Sequence, residues 1–397
     1  MNRRRRVAVL TTSRAEYGLL RELLRRLHGD PHFVLQLVVA GAHLAPAYGH
    51  TVDAIVADGL PIARRIPSLA QGDTRLEIAQ SAALLGLLGA HSLEELGPDV
   101  LLLLGDRYEL LGFAAAALGL GIPIAHIHGG ELSLGAIDDS VRHALTKLSS
   151  YHFCATETSA RRLRQMGEPA NRVFRVGALG VGAIRETPLL PKLAIEEALG
   201  LRLQRPIAVV TLHPETRAVT SARALAKALV RALNKFDVTS IITHPGADSD
   251  RAAILGELEA YARARPGRAV VLPSLGQSLY YSVLAQADVM VGNSSSGLLE
   301  APSFRLPVVN VGDRQSGRER ARNVIDCASR ADTIAQALQR ALSDGFRASL
   351  RGLRNPFGDG RAAERIARHL RRLPLGEKAT MKGFADPPGP HSRGDRG

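Results

Sequence analysis

The feature that most constrains this chain is a rhythm of short, mostly apolar runs separated by longer amphipathic stretches, and the rhythm occurs twice. In the first half the runs fall at residues 7–10, 34–40, 100–104, 122–127, 151–155 and 173–176. After the glycine-rich stretch GALGVGA at 177–183 it restarts at 207–211, 238–243, 269–272, 289–291 and 308–311. A strand that is apolar at every position must be covered on both faces, and helices alternating with such strands provide that cover over a parallel sheet. The intervals suit the role. Leu19, Leu20, Leu23, Leu24 and Leu27 recur at the spacing of one helix face, and 78–88, 221–233 and 252–264 read as helices too.

At 397 residues the chain exceeds the roughly 250–300 residues beyond which a single core stops growing. The expectation is therefore an α/β protein of two Rossmann-like doubly wound domains: 1–182, then 183–373, with the last helix packing back on the first domain. Residues 177–183 read as a hinge. The stretch 374–397 turns to Gly, Pro and charge without periodicity and reads as a disordered tail. Doubly wound sheets bind ligands beyond the carboxyl ends of their strands, so two in series imply a cleft there.

Composition narrows the function. No uninterrupted apolar run reaches the roughly 18 residues of a membrane span, and the run after the basic start MNRRRR is too short for a signal-peptide core. A cytoplasmic protein without membrane partners is expected. Cys154 and Cys327 alone make neither a disulfide framework nor a paired-cysteine metal site. The 51 Lys and Arg against 38 Asp and Glu leave a net charge of +13, which raises nucleic acid as a partner. With no Trp and few aromatics beside the basic stretches, the stacking that single-strand binders use is missing. Runs such as 161–164 and 361–372 read as solvated helix faces.

The chemistry-bearing motifs lie just after the apolar runs. VGNSSSGLLE (291–300) follows a strand and opens a helix; Gly292 permits close backbone approach, and Ser294 and Ser295 with the free first-turn N–H groups suit a diphosphate. An ordinary N-cap would look the same. Glu300 is placed to accept ribose hydroxyls or simply to face solvent. LLGDRYE (103–109) brings Asp106 as a proton acceptor and Arg107 as a diphosphate counter-charge, or else a cap and a surface pair. TTSRAEYG (11–18) offers Arg14 to phosphate and lacks the dinucleotide fingerprint, so no nicotinamide cofactor is indicated. HIHGGELSLGAIDDSVRHALTK (126–147) is the densest: His126 and His128 face one way in an extended chain, followed by Glu131, Asp138, Asp139, Arg142 and His143. No third ligand stands at a metal-site spacing, so proton transfer is the favoured reading, without metal or cofactor. His213 in TLHPET ends a strand and can donate to phosphate or sugar, or serve the loop alone.

Taken in order, SRAEYG, GDRYE, HIHGGE with IDDSVRHALTK, HPET, GNSSSGLLE and GDRQSGR resemble the hydrolysing UDP-N-acetylglucosamine 2-epimerases of bacterial sialic-acid and legionaminic-acid synthesis, over residues 7–372. The resemblance implies the GT-B-like architecture, no metal or nicotinamide, and a cytoplasmic homodimer or homotetramer. It implies that Arg14, His213, Ser294, Ser295, Glu300 and Arg314 hold UDP and that Asp106 and Asp138 match two active-site carboxylates. This chain departs from many relatives in having His128 where they have Glu, and Gly246, Ala247 and Asp248 after Pro245 where they have an Asn-containing motif.

The function implied is conversion of UDP-N-acetylglucosamine and water to N-acetylmannosamine and UDP through a 2-acetamidoglucal. Asp106, His128, Glu131 and Asp138 are the proton-transfer candidates, and Arg14, Arg107, Arg142, His143, His213, Gly292, Ser294, Ser295, Glu300 and Arg314 the substrate contacts. The alternatives are the same reaction on UDP-2,4-diacetamido-2,4,6-trideoxyglucose or a GDP-linked sugar, a GT-B glycosyltransferase, and a basic nucleic-acid-binding protein.

Overall fold

The computed structural model describes residues 3–46, 49–70, 75–132, 137–214, 221–245 and 251–386. The chain divides into two compact units, 1–183 with 360–397 and 184–359. In the first, the strands are β1 (Arg5–Thr11), β2 (Phe33–Ala40), β3 (Ile62–Ile66), β4 (Val100–Leu104), β5 (Ile124–Ile127), β6 (Tyr151–Cys154) and β7 (Val173–Arg175). They pair in the order β3-β2-β1-β4-β5-β6-β7, every pair parallel. The second unit holds β8 (Ile207–Thr211), β9 (Thr239–Thr243), β10 (Ala269–Leu272), β11 (Val289–Gly292), β12 (Val308–Val311) and β13 (Val324–Cys327), in the order β10-β9-β8-β11-β12-β13 and again parallel throughout. Each order reverses direction once, which is the doubly wound topology.

Two strands escaped the sequence reading, β3 and β13. Each has a single neighbour and carries charged residues with only one position buried (IARRI, VIDC), so neither shows the apolar run of a central strand. The central strands show it fully: VLLLL of β4 and IAVVT of β8 are buried at every position. Helix Arg14–Gly29 buries the leucines Leu20, Leu23, Leu24 and Leu27 beneath β1 and β2.

Helix Arg75–Leu96 is long and apolar enough, by length and composition, to cross a membrane. Here it lies along helix Glu109–Gly119 at glycine distance. A Cβ on Gly112 would fall 2.3 Å from the Ala82 carbonyl oxygen, and one on Gly86 would fall 3.1 Å from Gly112 Cα. Gly177–Ala183, read as a hinge, is largely taken into helix Leu179–Glu186; glycine costs such a helix only about 1 kcal/mol each against alanine.

The C-terminal part of the chain belongs to the first unit. Ala363, Ile366 and Leu370 of helix Ala362–Leu370 share a core with Leu24 and Leu27, and Arg371 pairs with Asp30. Residues 374–386, which composition marks as a tail without order, are described and carry specific contacts. Tyr151 donates to the Pro374 carbonyl, the Ala385 amide donates to Gly167, and the Phe384 ring lies against Gly167. The anchor is Glu168, whose side chain is wholly buried and accepts from His152 at 2.8 Å, Lys147 at 2.7 Å and Lys382 at 2.6 Å. Burial alone would raise this carboxyl, but the three donors outweigh it and bring it down to about 2. Composition misses this because one lysine and one phenylalanine do the anchoring.

A folded-state pKa below the ordinary 4.5 means that Glu168 stabilises the fold above that pH and stops doing so as pH falls toward 2. Glu168→Gln is therefore expected to cost about 3 kcal/mol near pH 7, since it strips the buried donors of their anion. In urea unfolding measured from pH 7 down to pH 2.5, the gap to the wild type should narrow; a gap independent of pH would remove Glu168 as the anchor.

Candidate functional site

In a parallel sheet every strand delivers the following loop to the same edge, and where the strand order reverses, two such loops diverge and leave room for a ligand. The reversal lies between β1 and β4 in the first unit and between β8 and β11 in the second.

In the first unit Gly105, with φ +82°, leads out of β4 into Asp106. The buried His126 of β5 donates from Nε2 to the Gly105 carbonyl at 2.7 Å, and burial brings its imidazole down to about 3, so it is neutral. Asp106 pairs with Arg142 of helix Ile137–Leu148. Burial raises the Asp106 carboxyl, Arg142 opposes the rise, and the neighbouring Asp138 and Glu131 push it up again. Arg142 also lies 3.7 Å from Asp139, whose other oxygen is 3.6 Å from His143. Glu131 is 3.1 Å from Nδ1 of His128. The expected proton-transfer residues Glu131 and Asp138 are thus within electrostatic reach of Asp106, and His128 adjoins Glu131.

Two further expected contacts, Arg107 and Arg14, follow β4 and β1. Arg107 bonds at 2.6 Å to the buried Glu109, so its charge serves the fold around that carboxylate. Arg14 stands exposed in the first turn of its helix. Sequence reasoning missed two groups at this edge. Glu16 is buried and accepts from the Thr12 amide at 2.8 Å, the Thr12 hydroxyl at 2.7 Å and the Ser13 amide at 3.1 Å; burial raises its carboxyl. Its signal was present, since Ser13 followed three residues later by Glu16 is a capping box. His43 is held between Thr11 at 3.0 Å and Thr51 at 2.8 Å and brought down to about 4 by burial; no local pattern marks it.

In the second unit the loops after β8 and β11 are stitched together. Asn293 accepts from the His213 amide at 2.7 Å and donates to the His213 carbonyl at 2.9 Å. Gln315 at 2.8 Å and Arg314 at 3.3 Å donate to the Asn293 carbonyl, so His213, Asn293 and Arg314 form one cluster. Ser294 and Ser295 follow, but the helix they open, Ser296–Leu299, is a single turn before a 3-10 segment. So few peptide units sum to little dipole, and anion binding there rests on the hydroxyls and amides.

Beside Ser294, Ser296 and Glu300 is a cavity of about 490 Å³, also lined by Thr243, His244, Gln277, Tyr280 and Tyr281, of a size that takes a small organic ligand. Burial raises the Glu300 carboxyl, while Ser296 and Tyr281 hydrogen bonds oppose it. The tyrosines come from helix Gly276–Gln286, far from any motif, and had no sequence signal. Glu215 and Thr216 of the HPET motif, and Gly246, Ala247 and Asp248, lie outside the described residues.

The first reversal point thus carries Asp106 beside Arg142, and the second a cluster of amides and hydroxyls beside a cavity. A family model described as UDP-N-acetylglucosamine 2-epimerase matches residues 25–371. The chain belongs to this family. The hydrolysing UDP-N,N'-diacetylbacillosamine 2-epimerase of Legionella pneumophila is 38% identical to it over 377 residues, 94% of this chain and 97% of that protein. The hydrolysing GDP/UDP-N,N'-diacetylbacillosamine 2-epimerase of Campylobacter jejuni is 36% identical over 345 residues, 87% of this chain and 89% of that one. A crystal structure of the Neisseria meningitidis UDP-GlcNAc 2-epimerase bound to UDP-GlcNAc shares the fold, with a TM-score of 0.76 over 93% of this chain and 100% of that chain at 17% identity. The fold of this epimerase-family chain is accordingly GT-B-like, with two Rossmann-like domains.

Gly292 tests how closely the loops of the second unit approach. Its φ is +134°, and an added Cβ would fall 1.9 Å from the Thr211 carbonyl oxygen. Gly292→Ala should cost about 3 kcal/mol or more, seen in a thermal melt as a fall of roughly 6–12 °C. An unchanged Tm would refute the close approach.

Proposed function

We propose that this chain is a hydrolysing 2-epimerase of UDP-linked 2-acetamido sugars. Family membership supports the reaction class, and the observation that carries the mechanism is Asp106 paired with Arg142 while Asp138 and Glu131 stand close enough to raise its carboxyl. Burial and its acidic neighbours raise the Asp106 carboxyl, which suits a group that holds and returns a proton beside other carboxylates.

In this reading the cavity of the second unit takes the nucleoside, with Glu300 accepting from ribose hydroxyls. His213, Ser294, Ser295 and Arg314 surround the diphosphate, and Gly292 lets the backbone come close; Arg14 keeps the phosphate-contact role that the family resemblance implies. Arg142 and His143 contact the sugar. A carboxylate takes the C2 proton; the C–H electron pair becomes the C1–C2 double bond, and the C1–O pair leaves with the diphosphate oxygen. Stabilising that departing charge is the largest contribution to the rate. Water then adds at C1 while a carboxylic acid returns a proton to C2 from the other face, which inverts that centre. Asp106, raised by burial and by its acidic neighbours, suits the protonated role.

The substrate we favour is UDP-2,4-diacetamido-2,4,6-trideoxyglucose, because the relatives at 38% and 36% identity carry N,N'-diacetylbacillosamine in their names. UDP-N-acetylglucosamine is the second reading, favoured by the description of the family model. The two share the C2 chemistry and differ at C4 and C6, which the carboxylate cluster does not address.

Incubation with both UDP sugars and their GDP counterparts in heavy water should release a free sugar of inverted C2 configuration carrying one solvent deuterium there, with the diacetamido substrate turned over fastest. Release without deuterium at C2 would exclude the proton exchange, and sugar transfer to an acceptor with C2 unexchanged would indicate a glycosyltransferase. Asp106→Asn should lower kcat by about 10²–10⁴-fold while leaving UDP affinity near the wild type. A near-normal kcat would strike Asp106 from the catalytic residues.

A further inference from the structure

Asp106 is reached through the most permissive residue a chain can offer. Gly105 leaves β4 with φ +82°, and a Cβ there would meet nothing within 4 Å, so the glycine serves conformation and not space. A residue that adopts so many φ and ψ values cannot by itself aim the side chain that follows it. The precision has to come from what holds its two peptide groups.

Both are held by β5. The Gly105 amide donates to the Ile127 carbonyl at 3.0 Å, and the Gly105 carbonyl accepts from His126 Nε2 at 2.7 Å. The first bond continues the β4–β5 ladder, in which Leu103 faces His126 and Leu104 faces Ile127. The second comes from a side chain, and no ladder requires it. Because a peptide unit is rigid, it fixes the plane that the Gly105 carbonyl shares with the Asp106 amide. That plane sets the direction in which the Asp106 side chain departs toward Arg142.

The imidazole is committed to this bond. A carbonyl oxygen only accepts, so the ring proton is on Nε2 and the lone pair on Nδ1. Nδ1 is buried and, among the described residues, has no hydrogen-bond partner. Gly129 leaves it room, since a Cβ there would fall 3.0 Å from Nδ1. The ring is wholly buried, and burial keeps it uncharged. An apolar side chain would fill the same space without burying an unpaired nitrogen, so packing alone does not account for histidine at 126.

We infer that His126 is a positioning residue for Asp106: its Nε2–H clamps the Gly105 carbonyl, fixes the peptide plane before Asp106, and so keeps that carboxyl at Arg142 for the proton transfer at the sugar C2. This rests on the proposed 2-epimerase reaction. Without the clamp the Gly105–Asp106 unit can turn and carry the carboxyl by an ångström or so, enough to cost about 10²-fold in rate.

Two substitutions of similar volume separate the clamp from packing. His126→Leu removes the donor and should lower kcat about 10²-fold, while UDP affinity and stoichiometry, measured by calorimetry, stay near the wild type. His126→Gln places an amide N–H close to where Nε2 stands and should recover most of the kcat. A Leu variant with wild-type kcat, or a Gln variant as slow as the Leu variant, would overturn the inference. In an Asp106→Asn background His126→Leu should cost almost nothing further, because a residue that acts through another has no effect once the other is lost. Losses that multiply would show His126 acting apart from Asp106 and overturn it as well.

In long-range proton–nitrogen NMR on ¹⁵N-histidine-labelled protein, the ring signal that is lost in His126→Gln should be neutral, protonated at Nε2 and unchanged between about pH 5 and pH 8. A ring protonated at Nδ1, or one that takes up a second proton in that range, would refute the clamp. This readout needs no turnover and decides the clamp even where His126→Leu fails to fold. If the wild type turned over none of the nucleotide sugars, the reaction reading would fall while the NMR result would still show whether Gly105 is clamped.

Discussion

Parallel pairing of strands buried on both faces is the constraint from which the rest of this molecule follows. Because each sheet is parallel throughout, every loop that leaves a strand's carboxyl end emerges on one edge, and residues far apart in sequence are gathered there. Reversal of strand order between β1 and β4, and between β8 and β11, parts two neighbouring loops in each sheet. Asp106 and the Thr12–Glu16 cap stand at the first reversal; the Asn293–His213 stitch spans the second. Glycine at 292 is what permits β8 and β11 to run so close, since any side chain would strike the Thr211 carbonyl.

Two carboxyls in the first unit show how local partners sort structural from chemical roles. Glu168 and Asp106 both lose solvation on folding, and burial is the largest influence on each. Three donors surround Glu168 and hold it ionised, which makes it an anchor for the returning chain. Asp106 has one guanidinium and two acidic neighbours, so its proton is retained more readily. The same burial therefore yields a fixed anion in one place and an exchangeable proton in the other, and the composition of the shell decides which.

Most of the fold was legible because the hydrophobic period is a direct consequence of two-sided burial. Eleven of the strands described above announce themselves as mostly apolar runs. The edge strands β3 and β13 do not, because a strand with one neighbour and an exposed face is free to carry Arg64, Arg65 and Asp326. The site was legible where chemistry is packed into contiguous motifs, as at 103–109, 126–143 and 291–300. It was illegible where single residues arrive from elsewhere: His43, Tyr280, Tyr281 and the buried Glu109 that takes up Arg107. Nothing in a local window distinguishes these from ordinary core or surface positions.

Read alone, the sequence determined that this chain builds two parallel α/β units, that its polar motifs follow the strands, and that acids and imidazoles crowd the stretch after β5. Those are local properties, set by side-chain periodicity and by which residues stand next to one another. Tertiary structure decided which charges meet. It turned Arg107 toward Glu109, set Asp106 against Arg142, returned residues 360–386 to the first unit, and set the His126 ring against the Gly105 carbonyl. Pairings of that kind depend on distances through space between residues widely separated along the chain, and only the folded arrangement of strands and helices specifies them.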